Sequence, residues 1–169
     1  PLVVASTNTS PREALRVRGE VLVLATTNGA PAIVAATRLA PQVLLASVLN
    51  LDAVVEVLGG HDLVACDLQL VCAGTDGAVA LEDTYLAGRL CAGLAGPRTD
   101  AARVAEAVAR GFASSRQALG QSADARALKA SGMDADIACC ARESVIDLVP
   151  RVVSADIGVS VIVGRAPSE

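Results

Sequence analysis

The chain has 169 residues, of which 53% are hydrophobic and 1% aromatic, and its formal net charge is -4. This length fits one domain over residues 1–169 with a core of its own, and an acidic chain with two aromatic residues argues against nucleic-acid binding. Its five cysteines form no Cys-x-x-Cys pair, so reduced thiols in a cytoplasmic protein are predicted. The longest charge-free stretch, residues 21–37, is interrupted by polar residues and proline, which argues against a membrane span.

The N-terminal half alternates between apolar runs and helical patterns. Continuous apolar runs bounded by turn residues predict strands of a sheet that is covered on both faces, at residues 1–5, 21–25, 43–46 and 68–72. A helix is predicted at residues 32–39, directly after Pro31. A second helix, at residues 51–58, would begin at Asn50 as its N-cap and end at Gly59-Gly60.

The C-terminal half is mostly helical by pattern. A turn is predicted at Asp76-Gly77. Helices are then predicted at residues 81–94, from an N-cap at Thr99 to about Leu119, and at 123–130 and 136–141, followed by strands at 145–149 and 159–163. This alternation predicts an α/β fold, specifically a layered α/β/α sandwich with a mixed, largely parallel central sheet.

Polar clusters follow two of the predicted strands. The first cluster, Thr26-Thr27-Asn28-Gly29, follows the predicted strand at residues 21–25. The second cluster is Cys72-Ala73-Gly74, at the end of the predicted strand at residues 68–72, together with the nearby Glu82-Asp83. In open α/β sheets ligands bind beyond the carboxyl ends of strands, where helix N-termini favour anions. Carboxylate oxygens suit Mg²⁺. The pair of clusters therefore predicts a site for an anion held with a metal.

Each cluster also has a purely structural interpretation. The first is equally typical of a tight turn with a helix cap, and acidic residues in a first helical turn stabilise the helix dipole. Cys72 is a candidate nucleophile, but Ala78 stands where a cysteine phosphatase carries arginine, so a structural thiol is the alternative. The Asp134/Asp136 pair resembles an aspartyl-phosphate site but follows no strand, which favours a helix cap. His61 is the only histidine, which argues against a serine triad.

Ordered motifs from about residue 10 to Pro150 carry a specific resemblance. They are Thr26-Thr27-Asn28-Gly29, Ser47-x-Leu49-Asn50, Cys72-Ala73-Gly74-x-x-Gly77, Leu81-Glu82-Asp83-x-x-x-Ala87-Gly88, Ser122-x-x-x-Arg126 and Asp147-x-Val149-Pro150. Together they resemble the 2-phosphosulfolactate phosphatase family.

The resemblance implies a Mg²⁺-dependent phosphatase acting on a phosphorylated, sulfonate-bearing small acid, whose product feeds coenzyme M synthesis. It implies two groups of residues. The metal and catalytic side is formed by Glu82 and Asp83, with Cys72 as a further catalytic candidate. Substrate binding is assigned to Thr26, Thr27, Asn28, Gly29, Asn50, Gly74 and Arg126.

Three departures from the family pattern support an alternative. The family's N-terminal Asp-x-x-Arg-Ala-Thr-Thr-Thr motif is absent, Asp124 replaces a histidine, and Ser144-Val145 replaces an Asp-Arg pair. The substitutions at Asp124, Ser144 and Val145 favour the alternative of a catalytically degenerate relative that binds a small anion or has an assembly role. The absent N-terminal motif favours a third hypothesis, an Ala/Val-rich fragment that needs a missing segment or partner chain. The high apolar content also indicates a homo-oligomer.

Overall fold

A computed structural model describes residues 2–4, 11–14, 21–23, 26–60, 67–156 and 159–165. The helices are α1 (Pro11–Ala14), α2 (Gly29–Thr37), α3 (Leu51–Gly59), α4 (Leu81–Gly93), α5 (Asp100–Arg110), α6 (Ser115–Gly120), α7 (Ala123–Ala130) and α8 (Asp134–Cys140). The strands are β1 (Leu2–Val4), β2 (Val21–Val23), β3 (Val149–Asp156) and β4 (Val159–Arg165). Helices and strands are both present, as expected for an α/β chain.

The strands form two separate pairs within the described part of the chain. β1 and β2 are parallel, with Leu2 opposite Val21. β3 and β4 are antiparallel, with Val149 opposite Arg165. Both strand orientations are therefore observed, but a single central sheet is not seen in these residues.

Two predicted strands are wrong in the described structure. Residues 43–46 make only one bridge, between Leu44 and Arg151, although the neighbouring backbone also bonds to β3. Residues 68–72 form no strand. An apolar run favours extended backbone, but a strand needs a continuous ladder of partners, which these segments lack among the described residues.

The predicted strand at 145–149 is also wrong, because the strand begins only at Val149. The backbone N–H groups of Val145 and Ile146 instead donate to the carbonyl of Leu49. The last predicted strand is confirmed as β4, and residues 2–4 and 21–23 are strands as predicted. Residues 24 and 25, His61 and Cys66 lie outside the described residues.

Most helices lie where they were predicted, but α2 begins at Gly29 instead of at Pro31, and one predicted helix is divided into two. Thr99 caps α5, its hydroxyl accepting from the Ala102 N–H at 3.2 Å, as predicted. The single long helix predicted from there is wrong, because α5 ends at Arg110 and Ser114 caps a new helix, α6. Ser114 is a strong N-cap residue, and its hydroxyl accepts from the Gln117 N–H at 3.3 Å.

Two apolar clusters hold the helices together. The larger lies between α3, α4 and β3 and contains Leu51, Ala53, Val54, Leu58, Leu90, Leu94 and Val149. The smaller surrounds Tyr85, whose ring meets Phe112 edge-to-face with centroids 6.0 Å apart. The two aromatic side chains of the chain therefore pack against each other. None of the described helices is long and apolar enough to span a bilayer.

Candidate functional site

A tight hairpin, which begins in the second polar cluster and contacts the first, holds the residues of the candidate site together. Thr75 and Ala78 exchange two backbone hydrogen bonds, of 3.1 and 2.9 Å. Asp76 and Gly77 between them have φ values of 51° and 76°, which is the pattern of a type I′ turn and explains the Asp-Gly pair. The predicted turn at these two residues is confirmed. We call residues 74–78 the site hairpin.

Three separate parts of the chain bind the site hairpin through side-chain oxygens. The Gly74 N–H donates to Asp83 Oδ2 at 2.8 Å, which ties the hairpin to the first turn of α4. The Asp76 N–H donates to Asn28 Oδ1 at 3.3 Å, at the start of α2. Because both predicted clusters contribute, the structure brings Asn28, Gly74 and Asp83 together.

The third contact comes from a helix distant in sequence. The Thr75 hydroxyl donates to Asp124 Oδ2 at 2.9 Å, across 49 positions of the chain. Asp124 lies in the first turn of α7, behind the capping residue Ser122. Sequence reasoning treated Asp124 only as a departure from a family pattern, and it did not single out Thr75.

The carboxyl groups beside the hairpin influence one another. Burial raises the pKa of Glu82, a hydrogen bond from the backbone partly offsets this rise, and the neighbouring carboxylates of Asp124 and Asp83 raise the pKa further. All three side chains are half-buried. Crowded like charges favour the neutral form of one member or a cation between them. No three His, Cys, Asp or Glu side chains among the described residues form a preassembled metal site.

The loop before α2 combines a capping role with exposed hydroxyls. The Thr26 hydroxyl accepts from the Ala30 N–H at 2.8 Å, so Thr26 caps the helix. The Asn28 side chain does not cap it, but donates to the Thr27 hydroxyl at 3.2 Å and accepts from the hairpin. Both threonines are exposed, and each hydroxyl retains a proton to donate. The structural and the anion-binding interpretations of this loop are therefore compatible.

A cavity of about 560 Å³ adjoins this constellation. Three of the predicted site residues, Gly29, Cys72 and Asp83, lie on its wall. The rest of the wall is mainly apolar side chains from α2, α3, α4 and the extended segments 43–46 and 67–73. A small ligand placed beside the hairpin would thus have an apolar wall on one side.

The environment of Cys72 favours a thiol over a thiolate. The Cys72 side chain is exposed, but neighbouring protein atoms reduce its hydration and so raise its pKa, and the nearby Asp83 and Cys91 raise the pKa further. A nucleophilic cysteine needs the opposite, an electropositive setting that lowers the thiol pKa. The catalytic assignment of Cys72 stays a prediction that its electrostatics do not favour.

Asn50 lies in the interior, away from the hairpin contacts. Its Oδ1 accepts from the backbone N–H and the hydroxyl of Ser47, at 2.7 and 3.2 Å. Its Nδ2 donates to the carbonyls of Leu45 and Leu148, at 3.2 and 2.9 Å. Asn50 occupies the N-cap position of α3, as predicted, but its side chain makes no capping hydrogen bond there. Because every amide donor and acceptor has a partner within the chain, the contacts favour a structural role over substrate binding.

Arg126 and Ser144 also have structural partners. Arg126 is exposed on α7, and its Nη1 donates to the Gln121 carbonyl at 3.0 Å. The Ser144 hydroxyl accepts from the Asp52 N–H at 3.2 Å and so supports the first turn of α3.

Sequence reasoning could have found Thr75 from the Asp-Gly turn, since that turn places its preceding residue at the closing position of a hairpin.

The comparisons with known proteins cover the stretch that contains these residues. A model of the 2-phosphosulpholactate phosphatase family matches residues 5–155. The chain belongs to this family. The match includes the loop before α2, the site hairpin, the first turn of α4 and Asp124 on α7.

Three members of the 2-phosphosulfolactate phosphatase family show how much of their length the chain spans. A probable 2-phosphosulfolactate phosphatase of Thermus thermophilus is 41% identical over 163 residues, which cover 93% of this chain and 68% of the relative. Another from Thermotoga maritima is 36% identical, covering 82% and 60%. A 2-phosphosulfolactate phosphatase of Methanothermobacter thermautotrophicus is 30% identical, covering 83% and 60%. The chain therefore spans between three fifths and about two thirds of these relatives.

Proposed function

We propose that this chain is a phosphoric monoester hydrolase that acts, with Mg²⁺, on a small phosphorylated sulfonic acid such as 2-phosphosulfolactate. The observation that carries the proposal is the site hairpin. It gathers Asn28, Asp83 and Asp124 from three elements inside the stretch matched by the family model. The relatives' names supply the substrate.

The donor set beside the hairpin fits Mg²⁺. This ion prefers carboxylate oxygens and is usually bound by one or two carboxylates, with substrate phosphate and water completing its shell. Glu82 and Asp83 supply two half-buried carboxyl groups. Burial and, to a smaller extent, the neighbouring carboxylates raise the pKa of Glu82, and a bound cation would oppose this rise. When bound, Mg²⁺ would neutralise charge that develops on the phosphoryl oxygens.

The residues of the proposed site have different roles, which follow from the chemistry of their side chains. Asp83 is oriented by the Gly74 N–H, which leaves its second oxygen available to the metal. The loop before α2 offers hydroxyl and amide donors from Thr26, Thr27 and Asn28 at a helix N-terminus, where an anion is favoured. A substrate with a phosphate and a sulfonate needs two such anion-binding elements, and the loop and the metal provide one each.

The competing function is an anion-binding or assembly role without turnover. The observation that favours it is the concentration of negative charge at Glu82, Asp83 and Asp124, since carboxylates without a cation repel phosphate. Binding of the metal therefore separates the two functions.

The proposal also covers the fold, the location and the oligomeric state of the chain. We place the described elements within one layered α/β/α domain over residues 1–169, built on a central sheet. The four described cysteines Cys72, Cys91, Cys139 and Cys140 are free thiols, which supports a reducing, cytoplasmic location. A homo-oligomer remains part of the proposal.

The decisive experiment measures phosphate release from a panel of small phosphomonoesters, including 2-phosphosulfolactate, with and without Mg²⁺. Turnover is expected only with Mg²⁺, and Glu82→Gln and Asp83→Asn are each expected to reduce it by about 100-fold or more. Asp100→Asn is the matched control, because Asp100 is also an acid in a first helical turn but lies on α5. A folded chain that binds phosphate or 2-phosphosulfolactate without hydrolysing any ester would support the competing function instead.

A further inference from the structure

Residues 67–73 form an extended segment that has no strand partner in the described part of the chain. No backbone group of this segment forms a hydrogen bond with another described residue. Its apolar residues Leu68 and Val71 are 40% and 57% exposed, although an apolar run of this kind is typical of a buried strand. An extended segment with unpaired N–H and carbonyl groups is a template for the addition of another strand.

The segment at residues 43–46 has a second free edge, on the side that faces away from β3. It is bound to β3 through the Leu45 N–H and the Val43 carbonyl, with hydrogen bonds of 2.9 and 3.0 Å. In an antiparallel pair bonded in this way, the intervening residue directs its own N–H and carbonyl away from that neighbour. The N–H and carbonyl of Leu44 therefore lie on the opposite edge, and neither has a partner among the described residues.

Both free edges line the same apolar cavity. The cavity of about 560 Å³ is bounded by residues 43–46 and 67–73 and by side chains of α2, α3 and α4, among them Ile33, Val54 and Leu86. A small apolar ligand would fill this volume but would leave the backbone groups of both segments unpaired. An extended polypeptide segment satisfies both requirements, because its backbone pairs with the edges while its apolar side chains contact the helices.

The lengths of the relatives indicate where such a segment comes from. This chain covers 68% of the relative from Thermus thermophilus and 60% of the relative from Thermotoga maritima, so the remainder of each relative lies outside the matched stretch. A strand that belongs to the same polypeptide reaches the cavity at a high effective concentration, without the entropy cost of bringing two molecules together. The family's additional length is therefore the favoured source of the strand.

We infer that the cavity is a docking groove for one apolar β-strand of the same polypeptide, supplied by the part of the family's length that residues 1–169 do not span. We call the cavity and its two edges the strand groove. The docked strand pairs with residues 67–73 and with the free edge at Leu44, and so extends the sheet of β3 and β4. Because residues 67–73 lead directly into the site hairpin, the docked strand also fixes the approach to the candidate site.

The test uses Cys72, an exposed thiol on the wall of the strand groove. Residues 1–169 alone are compared with the uninterrupted product of the gene. The rate at which N-ethylmaleimide alkylates each cysteine is measured by mass spectrometry, and hydrogen exchange of the backbone amides of residues 68–72 is measured in parallel. Cys139 is the internal control, because it is a free thiol on α8, outside the wall of the groove.

In the uninterrupted product Cys72 is expected to react about tenfold or more slowly than in residues 1–169 alone, because alkylation requires an accessible thiol. The amides of residues 68–72 are expected to exchange more slowly by about the same factor, since they acquire hydrogen bonds that they lack in residues 1–169. Cys139 is expected to react at the same rate in both forms.

Leu68→Asp tests the groove within the uninterrupted product. An unpaired carboxylate on the groove wall opposes docking because it is costly to bury, so Cys72 and the amides of residues 68–72 are expected to lose their protection. Val104→Asp on α5 is the matched control, because Val104 is 61% exposed and lies outside the groove wall. It is expected to leave the protection unchanged.

The inference is overturned if the gene encodes no further residues, if Cys72 reacts equally fast in both forms, or if Leu68→Asp leaves Cys72 protected. Protection that increases with the concentration of residues 1–169 alone would assign the groove to a second copy and would also overturn the inference. Should residues 1–169 not fold alone, the comparison of Leu68→Asp with Val104→Asp decides. None of these measurements uses phosphate release, so failure of the proposed function leaves the inference standing.

Discussion

Gly88 of α4 lies directly against Ala105 of α5. A Cβ atom on Gly88 would lie 2.0 Å from the Ala105 carbonyl oxygen and 2.8 Å from the Ala109 Cβ. The absence of a side chain is what lets the two helix backbones approach this closely. The position of α4 matters for the proposed function because the first turn of α4 carries Glu82 and Asp83.

Gly88→Ala is therefore expected to destabilise the chain. The new methyl group meets backbone, which cannot rotate away, so the free energy of unfolding should fall by about 3 kcal/mol or more, at or beyond the upper end of ordinary overpacking. Urea unfolding measures the change. Gly59→Ala is the matched control, because nothing lies within 4 Å of that position. Equal stability of the two variants would contradict the close approach of α4 and α5.

Gly74 and Gly77 of the site hairpin are expected to respond differently to alanine. Both have positive φ, but a Cβ on Gly74 would lie 2.5 Å from the Ala78 carbonyl oxygen, whereas Gly77 faces open space. Gly77→Ala should cost about 1–2 kcal/mol of left-handed strain. Gly74→Ala should cost more and should also displace the Asp83 contact, so it should reduce phosphate release further. Thermal unfolding and the phosphatase assay of both variants measure these effects. A larger loss of stability or activity in Gly77→Ala than in Gly74→Ala would contradict the prediction.

Asn50→Ala is expected to act on stability. It leaves the Leu45 and Leu148 carbonyls and the Ser47 N–H without their partner. Because Leu148 and Ser47 are exposed and Leu45 is half-buried, the total loss of stability should lie near the lower end of the about 1–3 kcal/mol that one unsatisfied buried group costs. Asn50→Asp should be similarly harmful, because a carboxylate oxygen would face two carbonyl oxygens. Urea unfolding is compared with the KM for the substrate. A stable variant with a raised KM would restore the substrate-binding role that the motifs predicted.

Glu143 is expected to make stability depend on acid pH. Burial raises the pKa of its carboxyl, but hydrogen bonds from Arg89 and Ser115 outweigh this and leave the pKa lowered. Its contribution is therefore complete above the ordinary glutamate pKa of about 4.3 and is lost as the pH falls through the lowered value.

Glu143→Gln should remove this part of the pH dependence. The measurement is the free energy of unfolding from about pH 7 down to about pH 3. Glu56→Gln, at an exposed position on α3, is the control and should leave the acid-side slope unchanged. The same slope in Glu143→Gln as in the unmodified chain would show that the Arg89 ion pair, with an N–O distance of 2.5 Å, does not contribute.

Local chemistry was enough to predict some of the helix caps and the hairpin turn. Thr99 caps α5 and Asp76-Gly77 forms the hairpin turn as predicted, because each depends on the backbone preferences of a few adjacent residues. The division of the long helix at Ser114 was missed because the apolar helical pattern continues across the break.

Pairing between distant segments could not be predicted in the same way. Residues 43–46 and 68–72 have apolar runs that are typical of strands. In the described structure residues 43–46 form one bridge and residues 68–72 form none, because a strand also needs a second segment that lies alongside it in the fold. Asn50 matched a family motif, but the carbonyl of Leu148, 98 positions away, is one of the groups that use its amide.

The sequence alone determined the family, the N-cap positions of α3 and α5 and the position of the hairpin turn, because these depend on residue order and local backbone geometry. Only the tertiary structure decided that Asn28, Asp83 and Asp124 meet at residues 74–76. Hydrogen bonds act over about 3 Å, so groups separated by 48 or 49 positions contribute to one site only after packing has placed their helices.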